Sequence, residues 1–425
     1  MKKVTFLYYL LSINRIMRYQ DYNCRNLSRF LYPVEVSLFN SKDIIDIAIR
    51  NIYGNIEDEL CITQKNKKIS FYSKETSFKV LYRKIAYDLL KNYGGKTPSR
   101  NKIIKDILIM LRENFPYRVF KLDISSFYEN FDQVKLEEDI GNLSMISPYS
   151  KKFMLSVLRS CCKKVEENYP VAQISLPRGI NFSGVIANIL MRDFDSYLEK
   201  NSDVFYYSRF VDDIILITSK DIDNDKFIQE ASNRLYEGLK LNDKKQVICD
   251  SDNVNIDYLG YSIKKSGEEP NRSKIGSTFE SRENYCNLDV GISYRKVNKI
   301  KNRISRSFME YIKDKDEGLL IDRIKFLAAN KYIIDKKTLK KRINGIRYNY
   351  PLLTDDSSLD ELDKFVSFLL YSDKSRLSRL VKNNLSVKLK KKIKLLSFKK
   401  LYNNNVFFSF SPKKIIEIQE CWKYE

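Results

Sequence analysis

An aspartate pair set between two apolar, β-forming runs constrains the fold of this chain more than any other feature. Phe210-Val211-Asp212-Asp213 leads directly into Ile214-Ile215-Leu216-Ile217, and a further apolar run, Val204 to Ser208, precedes it. The pattern predicts a hairpin, Val204 to Ser208 and then Phe210 to Thr218, with the acidic residues at its turn. An Asp pair is ordinarily a solvated turn. Here the flanking apolar residues argue against a solvated place, and burying two negative charges is costly unless a cation compensates. Mg2+ takes one or two carboxylates together with phosphate oxygens, so one more Asp would complete a two-metal site. Asp123 is a candidate. It ends the short apolar run Phe120–Ile124, where a strand-terminal Asp serves either as a helix cap or as a metal ligand.

The surrounding pattern gives an element order. Ile103, Ile104, Ile107, Leu108 and Leu111 recur at helical spacing between Asn101 and Glu113. A strand is expected over Val119–Ile124, helices over 134–163 and 184–200, then the hairpin, a helix over 223–240, and strands near 246–249 and 258–263. Strand, helix, helix, hairpin, helix, strand is the order of an RRM-like α+β sheet. Beyond about residue 290 the chain becomes basic and helical. Seven Lys or Arg lie between Arg295 and Lys313, and eleven between Lys374 and Lys400 on a Leu-rich frame.

Composition then removes whole classes of chemistry. With no histidine, no Ser-His-Asp triad, Cys-His pair or imidazole-zinc site is available, which leaves carboxylates, Lys, Arg, Tyr, Cys or bound metal. Lys and Arg number 76 against 54 Asp and Glu, a formal net charge of +22. Such an excess points to a polyanion partner, although the Asn, Ile, Lys and Tyr content also fits an AT-biased genome. The seven cysteines show no paired CxxC spacing, in keeping with a reducing, cytoplasmic location. Met1–Leu11 reads as a packed or partner-binding helix rather than a signal peptide. No run is long enough to span a bilayer, so no membrane partner is expected.

Five segments resemble reverse-transcriptase motifs in the family's order. Leu122–Asp132 (LDISSFYENFD) resembles motif A and Leu176–Asn188 (LPRGINFSGVIAN) motif B. Phe210–Asp213 resembles the Tyr-x-Asp-Asp of motif C, Leu239–Lys245 motif D, and Tyr258–Ile263 (YLGYSI) motif E, the primer grip. The resemblance implies a right-hand polymerase. Its N-terminal extension and fingers would span 1–115, its RRM-like palm 116–265, and its thumb and helical basic C-terminal region 266–425.

Residue by residue, the resemblance makes Asp123, Asp212 and, less directly, Asp213 the catalytic carboxylates, holding two Mg2+ ions with the backbone carbonyl of Ile124. Tyr128 falls at the aromatic gate beneath the incoming sugar, or is a core tyrosine. Pro177, Arg178 and Gly179 would line the nucleotide pocket, and Lys245 would lie near the triphosphate. Arg83 and Arg100 are either phosphate contacts or an exposed basic face. Leu259, Gly260 and Tyr261 would form the primer grip. Phe210 stands where the family has tyrosine, and Arg178 where it has glutamine; neither departure removes a metal ligand.

The form of motif B, continuing into Met191-Arg192-Asp193-Phe194-Asp195, resembles abortive-infection and unknown-group reverse transcriptases of prokaryotic anti-phage defence. The implied partners are a structured non-coding RNA template, dNTPs and a DNA product. A homo-oligomer or a companion defence protein remains open. Two rival readings also stay open at this point. One is a template-independent or protein-primed DNA polymerase on the same fold, and the other is a catalytically inert RNA-binding palm.

Overall fold

The computed structural model describes residues 20–54, 60–65, 68–94, 98–113, 115–266, 286–335 and 338–423. The helix expected over Met1–Leu11 lies outside the described residues. In chain order, helix α1 (Ser41–Tyr53) leads to the hairpin of β1 (Leu60–Lys65) and β2 (Lys68–Ser73), then to α2 (Thr76–Tyr93) and α3 (Arg100–Arg112). Next come β3 (Tyr117–Asp123), α4 (Gln133–Asn142), α5 (Pro148–Asn168), α6 (Ser183–Leu190) and α7 (Arg192–Glu199). The hairpin of β4 (Val204–Phe210) and β5 (Asp213–Ser219), helix α8 (Asn224–Asn233) and strand β6 (Val247–Asp250) follow. Strands β7 (Asn255–Tyr258), β8 (Tyr261–Lys265) and β9 (Leu288–Ile292) precede helices α9 (Tyr294–Asp314) and α10 (Glu317–Ala328). The chain continues with β10 (Asn330–Ile334), β11 (Lys341–Asn344), α11 (Ser357–Tyr371), α12 (Arg376–Asn384), α13 (Val387–Lys394), α14 (Phe398–Asn403), β12 (Phe407–Ser409) and α15 (Pro412–Glu420).

These elements fall into two compact units, residues 1–98 with 120–247 and residues 99–119 with 248–425. A four-stranded sheet has the order β4-β5-β3-β6, that of the β-α-β-β-α-β arrangement expected from the sequence. The central position of β5 explains its uninterrupted apolar run: Ile214 through Ile217 are all buried, as a strand covered on both faces must be. Phe120, Leu122 and Ile124 join Phe127, Phe131, Ile186, Phe194 and Leu216 in one hydrophobic core.

Several boundaries differ from the sequence reading, each for a local reason. The helix expected over 134–163 is two, because Ser147-Pro148 starts a new helix with proline in its first turn. The helix over 184–200 breaks at Met191. The one over 223–240 ends at Asn233, and the chain turns at Gly238 with φ +86°, where a β-carbon would meet the Asn130 carbonyl oxygen at 2.2 Å. The strand expected over 258–263 is a hairpin, β7–β8, turning through Leu259 (φ +45°) and Gly260 (φ +87°).

In the second unit, α9 packs on α10, α11 and α12, burying Ile304, Phe308, Leu320, Ile324, Leu359 and Leu362. No helix among the described residues is long and apolar enough to cross a membrane.

Candidate active site

Asp123 is the last residue of β3, and the β4–β5 turn lies on the neighbouring strand pair. Phe210 and Asp213 are register partners, leaving Val211 and Asp212 as the two turn residues. Val211 has φ +65°, a strained value for a β-branched side chain. Two bonds hold it there. Arg209 Nη1 donates to the Val211 carbonyl at 3.1 Å, and the Ile124 N–H donates to the Asp212 carbonyl at 3.0 Å. The second bond ties the end of motif A to the turn of motif C.

Asp123 is 7 % exposed. Its Oδ2 accepts from Lys245 Nζ at 2.8 Å and from Asn242 Nδ2 at 3.1 Å. Burial pushes the Asp213 carboxyl above its usual range, and the charges of Asp212 and Asp123 add to that rise, while Lys121 and Lys245 oppose it. Asp213 therefore lies within the field of the other two carboxylates. The three do not form a closed cage, since among the described residues no group of three or more Asp, Glu, Cys or His side chains is arranged to hold a metal ion. The Asp123 carboxylate instead faces Lys245. Hard carboxylate oxygens are nonetheless the donors Mg2+ takes, so the chemistry of the set fits that ion.

The other residues expected at the site divide. Tyr128 is half-buried and lies under Arg178, whose guanidinium carbon is 4.6 Å from the ring centroid. Burial raises the Tyr128 hydroxyl pKa against the opposing pull of Arg178. Arg178 donates to Glu129 through Nε at 2.8 Å and Nη2 at 3.0 Å. Pro177, Arg178 and Gly179 form the loop before α6. Gly179 has φ +93°, and a β-carbon there would lie 2.3 Å from the Phe71 carbonyl oxygen, so only glycine fits. Lys245 lies beside Asp123, its side chain 62 % exposed.

Arg83 is elsewhere engaged, bidentate to Glu35 at 2.7 and 2.6 Å and 3.7 Å from the Tyr32 ring centroid. Arg100 belongs to the second unit with the motif E residues. It bonds the Asn349 carbonyl and lies over Tyr261 and Tyr350. Leu259 and Gly260 form the β7–β8 turn, and Tyr261 is fully buried at the start of β8.

Sequence reasoning missed three supports. Arg209 is buried and donates to both oxygens of Asp195, at 2.7 and 2.6 Å, and to Asn188 Oδ1 at 3.3 Å. It thereby ties the acidic turn to α6 and α7. Glu129 partners Arg178, and Asn242 partners Asp123. The one available signal was charge, an unexpected Arg at 178 calling for an acid.

Residues 95–263 match the family model described as reverse transcriptase (RNA-dependent DNA polymerase). No curated protein matches the chain. Among solved structures it is similar to apo telomerase from Candida tropicalis truncated from its C-terminal domain, at 14% identity and TM-score 0.35, covering 49% of this chain and 53% of that one. It is also similar to telomerase from Candida albicans in complex with the TWJ fragment of telomeric RNA, at 12% identity and TM-score 0.32, over 86% and 61% of the two chains. The third is apo telomerase from Candida tropicalis, at 14% identity and TM-score 0.34, over 86% and 60%. The chain thus spans between about half and three fifths of the telomerase chains it matches. The segment that carries Asp123, Tyr128, the Asp212–Asp213 turn and Lys245 is a reverse-transcriptase domain, of the RNA-dependent DNA polymerase class, over residues 95–263.

Proposed function

We propose that the chain is an RNA-directed DNA polymerase whose nucleotidyl transfer takes place at Asp123, Asp212 and Asp213. One observation carries this reading: the β3 carboxylate and the strained Val211–Asp212 turn are joined by the Ile124 N–H to Asp212 carbonyl bond, so three acids share one end of the two central strands. Two Mg2+ ions held by these acids and the Ile124 carbonyl would supply the Lewis-acid charge that activates a primer hydroxyl and stabilises leaving pyrophosphate. The remaining groups are the chain's own. Tyr128 lies beneath the incoming sugar and rejects a 2′-hydroxyl; Gly179 lets its loop pack closely on the Phe71 carbonyl of β2; Lys245 exchanges Asp123 for a phosphate oxygen when the triphosphate enters.

By role, the fingers lie within 1–115, the palm within 116–265, and the thumb with its basic helical extension within 266–425. The motif B form supports a place among prokaryotic anti-phage defence enzymes, copying an associated non-coding RNA into DNA. The test is Asp212→Ala with Asp213→Ala, assayed for dNTP incorporation with Mg2+ on an RNA template. Incorporation should fall at least about a thousandfold, roughly 4 kcal/mol of transition-state stabilisation. The fold and RNA affinity should remain, because mutually repelling, half-buried charges do not hold the apo protein together. Full activity in the double variant would sink the polymerase reading.

A further inference from the structure

Tyr128 is held on two sides. Arg178 covers its ring face, and at its hydroxyl end a β-carbon built on Gly184 of α6 would lie only 3.3 Å away. Arg178 itself has little freedom to leave. Its guanidinium forms a two-point fork on Glu129, and its carbonyl accepts the Phe71 N–H of β2 at 2.7 Å. The loop before it is fastened to the same turn. The Leu176 N–H donates to the Tyr128 carbonyl at 2.8 Å, and Ser175 Oγ donates to the Glu129 carbonyl at 3.0 Å and the Phe131 carbonyl at 2.5 Å. A planar, bidentate, ring-stacked arrangement of this kind suits arginine and not lysine.

We propose that the Glu129–Arg178 pair is a specificity-determining clamp that fixes the attitude of the Tyr128 ring, and that Arg178 acts through this ring rather than on the nucleotide. This rests on Tyr128 being the sugar gate, as in the function proposed above. The clamp explains how the domain accommodates arginine at the position where the motif it resembles has glutamine. The added charge is taken up by the residue next to the gate, so it stiffens the gate instead of adding a cation to the nucleotide pocket.

The experiment measures kcat/KM for dNTP and NTP on one RNA template with the full chain. The variants are Glu129→Gln, Arg178→Lys, Glu129→Gln with Arg178→Gln, and Tyr128→Val alone and combined with Glu129→Gln. Each clamp variant should raise the NTP-to-dNTP ratio about five- to tenfold, in keeping with removal of one partly buried cation–π interaction and its supporting fork. The double clamp variant should do no more than either single one, because both delete the same interaction. Tyr128→Val should raise the ratio further, and adding Glu129→Gln to it should change nothing. Glu129→Gln is isosteric, so it tests the pair even if a change at Arg178 impairs folding. Wild-type ratios in active clamp variants would overturn the clamp and leave the polymerase reading standing. So would an increase in dNTP KM at an unchanged ratio, which would put Arg178 on the nucleotide. A wild-type protein that incorporates neither dNTP nor NTP would overturn both.

Discussion

At the scale of single residues, the interaction that stands out is Lys245 on Asp123. The ammonium lies 2.8 Å from Oδ2 of a buried carboxylate, yet the lysine side chain itself is 62 % exposed. It is therefore a removable counter-ion, and its attraction is discounted by solvent. Lys245→Met should raise the affinity of the nucleotide-free protein for Mn2+ about two- to fivefold, the range that an exposed pair supports. Triphosphate affinity should fall in the same variant. Direct titration of Mn2+ by its paramagnetic signal checks this without any turnover, and unchanged Mn2+ affinity would mean that Lys245 does not compete for Asp123. Residue identities at this site were legible where chemistry forces a type: carboxylates at a strand end and an apolar turn, and glycine where φ is positive. Glu129, Arg209 and Asn242 were not. Their roles come from partners 49, 14 and 119 positions away in sequence, and no spacing rule reaches that far.

At the scale of elements, periodicity located helices better than it bounded them. The five apolar residues between Ile103 and Leu111 are the buried stripe of α3, and the β5 run is buried throughout. Breaks inside helical stretches, at Ser147-Pro148 and Met191, were missed because the hydrophobic period resumes after each of them. Helix α2 holds a feature that periodicity hides altogether, the i,i+4 pair Lys84–Asp88, 2.5 Å apart and almost wholly buried. Burial pushes the Asp88 carboxyl up to about 6 despite Lys84, and pushes the Lys84 ammonium down despite Asp88. Both shifts say that desolvation outweighs attraction, as for many buried pairs. The sign follows. A carboxyl raised above its ordinary value adds stability in full below that value, and the contribution is lost as pH rises through about 6. Lys84→Met should cost about 3–5 kcal/mol near pH 7.5, where Asp88 is left as a bare buried anion, and less near pH 5, where it takes up a proton. Lys84→Met with Asp88→Leu should recover most of that loss. Urea denaturation at both pH values decides it, and a double variant no more stable than Lys84→Met would refute the cost assigned to the pair.

For the molecule as a whole, the question is what the +22 charge does, and the structure sorts the basic residues of the second unit by their company. Lys399 spans Asp356 and Asp360, Lys301 meets Glu361, and Lys382 meets Asp373. The first two tie helices together, and the third ties a helix to the loop before it. Lys388, Lys391 and Lys392 on α13 are different, being exposed on a helix whose Leu389 and Ile393 are buried. That short helix puts its apolar side on the protein and its lysines in solvent, the arrangement expected of a surface that follows a phosphate backbone without reading bases. Replacing Lys388, Lys391 and Lys392 together by Gln should weaken RNA binding. It should also reduce the slope of log affinity against log salt by about 0.7–0.9 for each phosphate that is no longer neutralised, so by roughly 2–3 if all three lysines take part. Replacing Lys399 by Gln should leave that slope nearly unchanged, since its charge is already matched within the protein. Filter binding of a structured RNA across a salt series measures both variants. If the triple variant kept the wild-type slope, the exposed face of α13 would be a solvated surface, and the net charge would owe more to composition than to RNA.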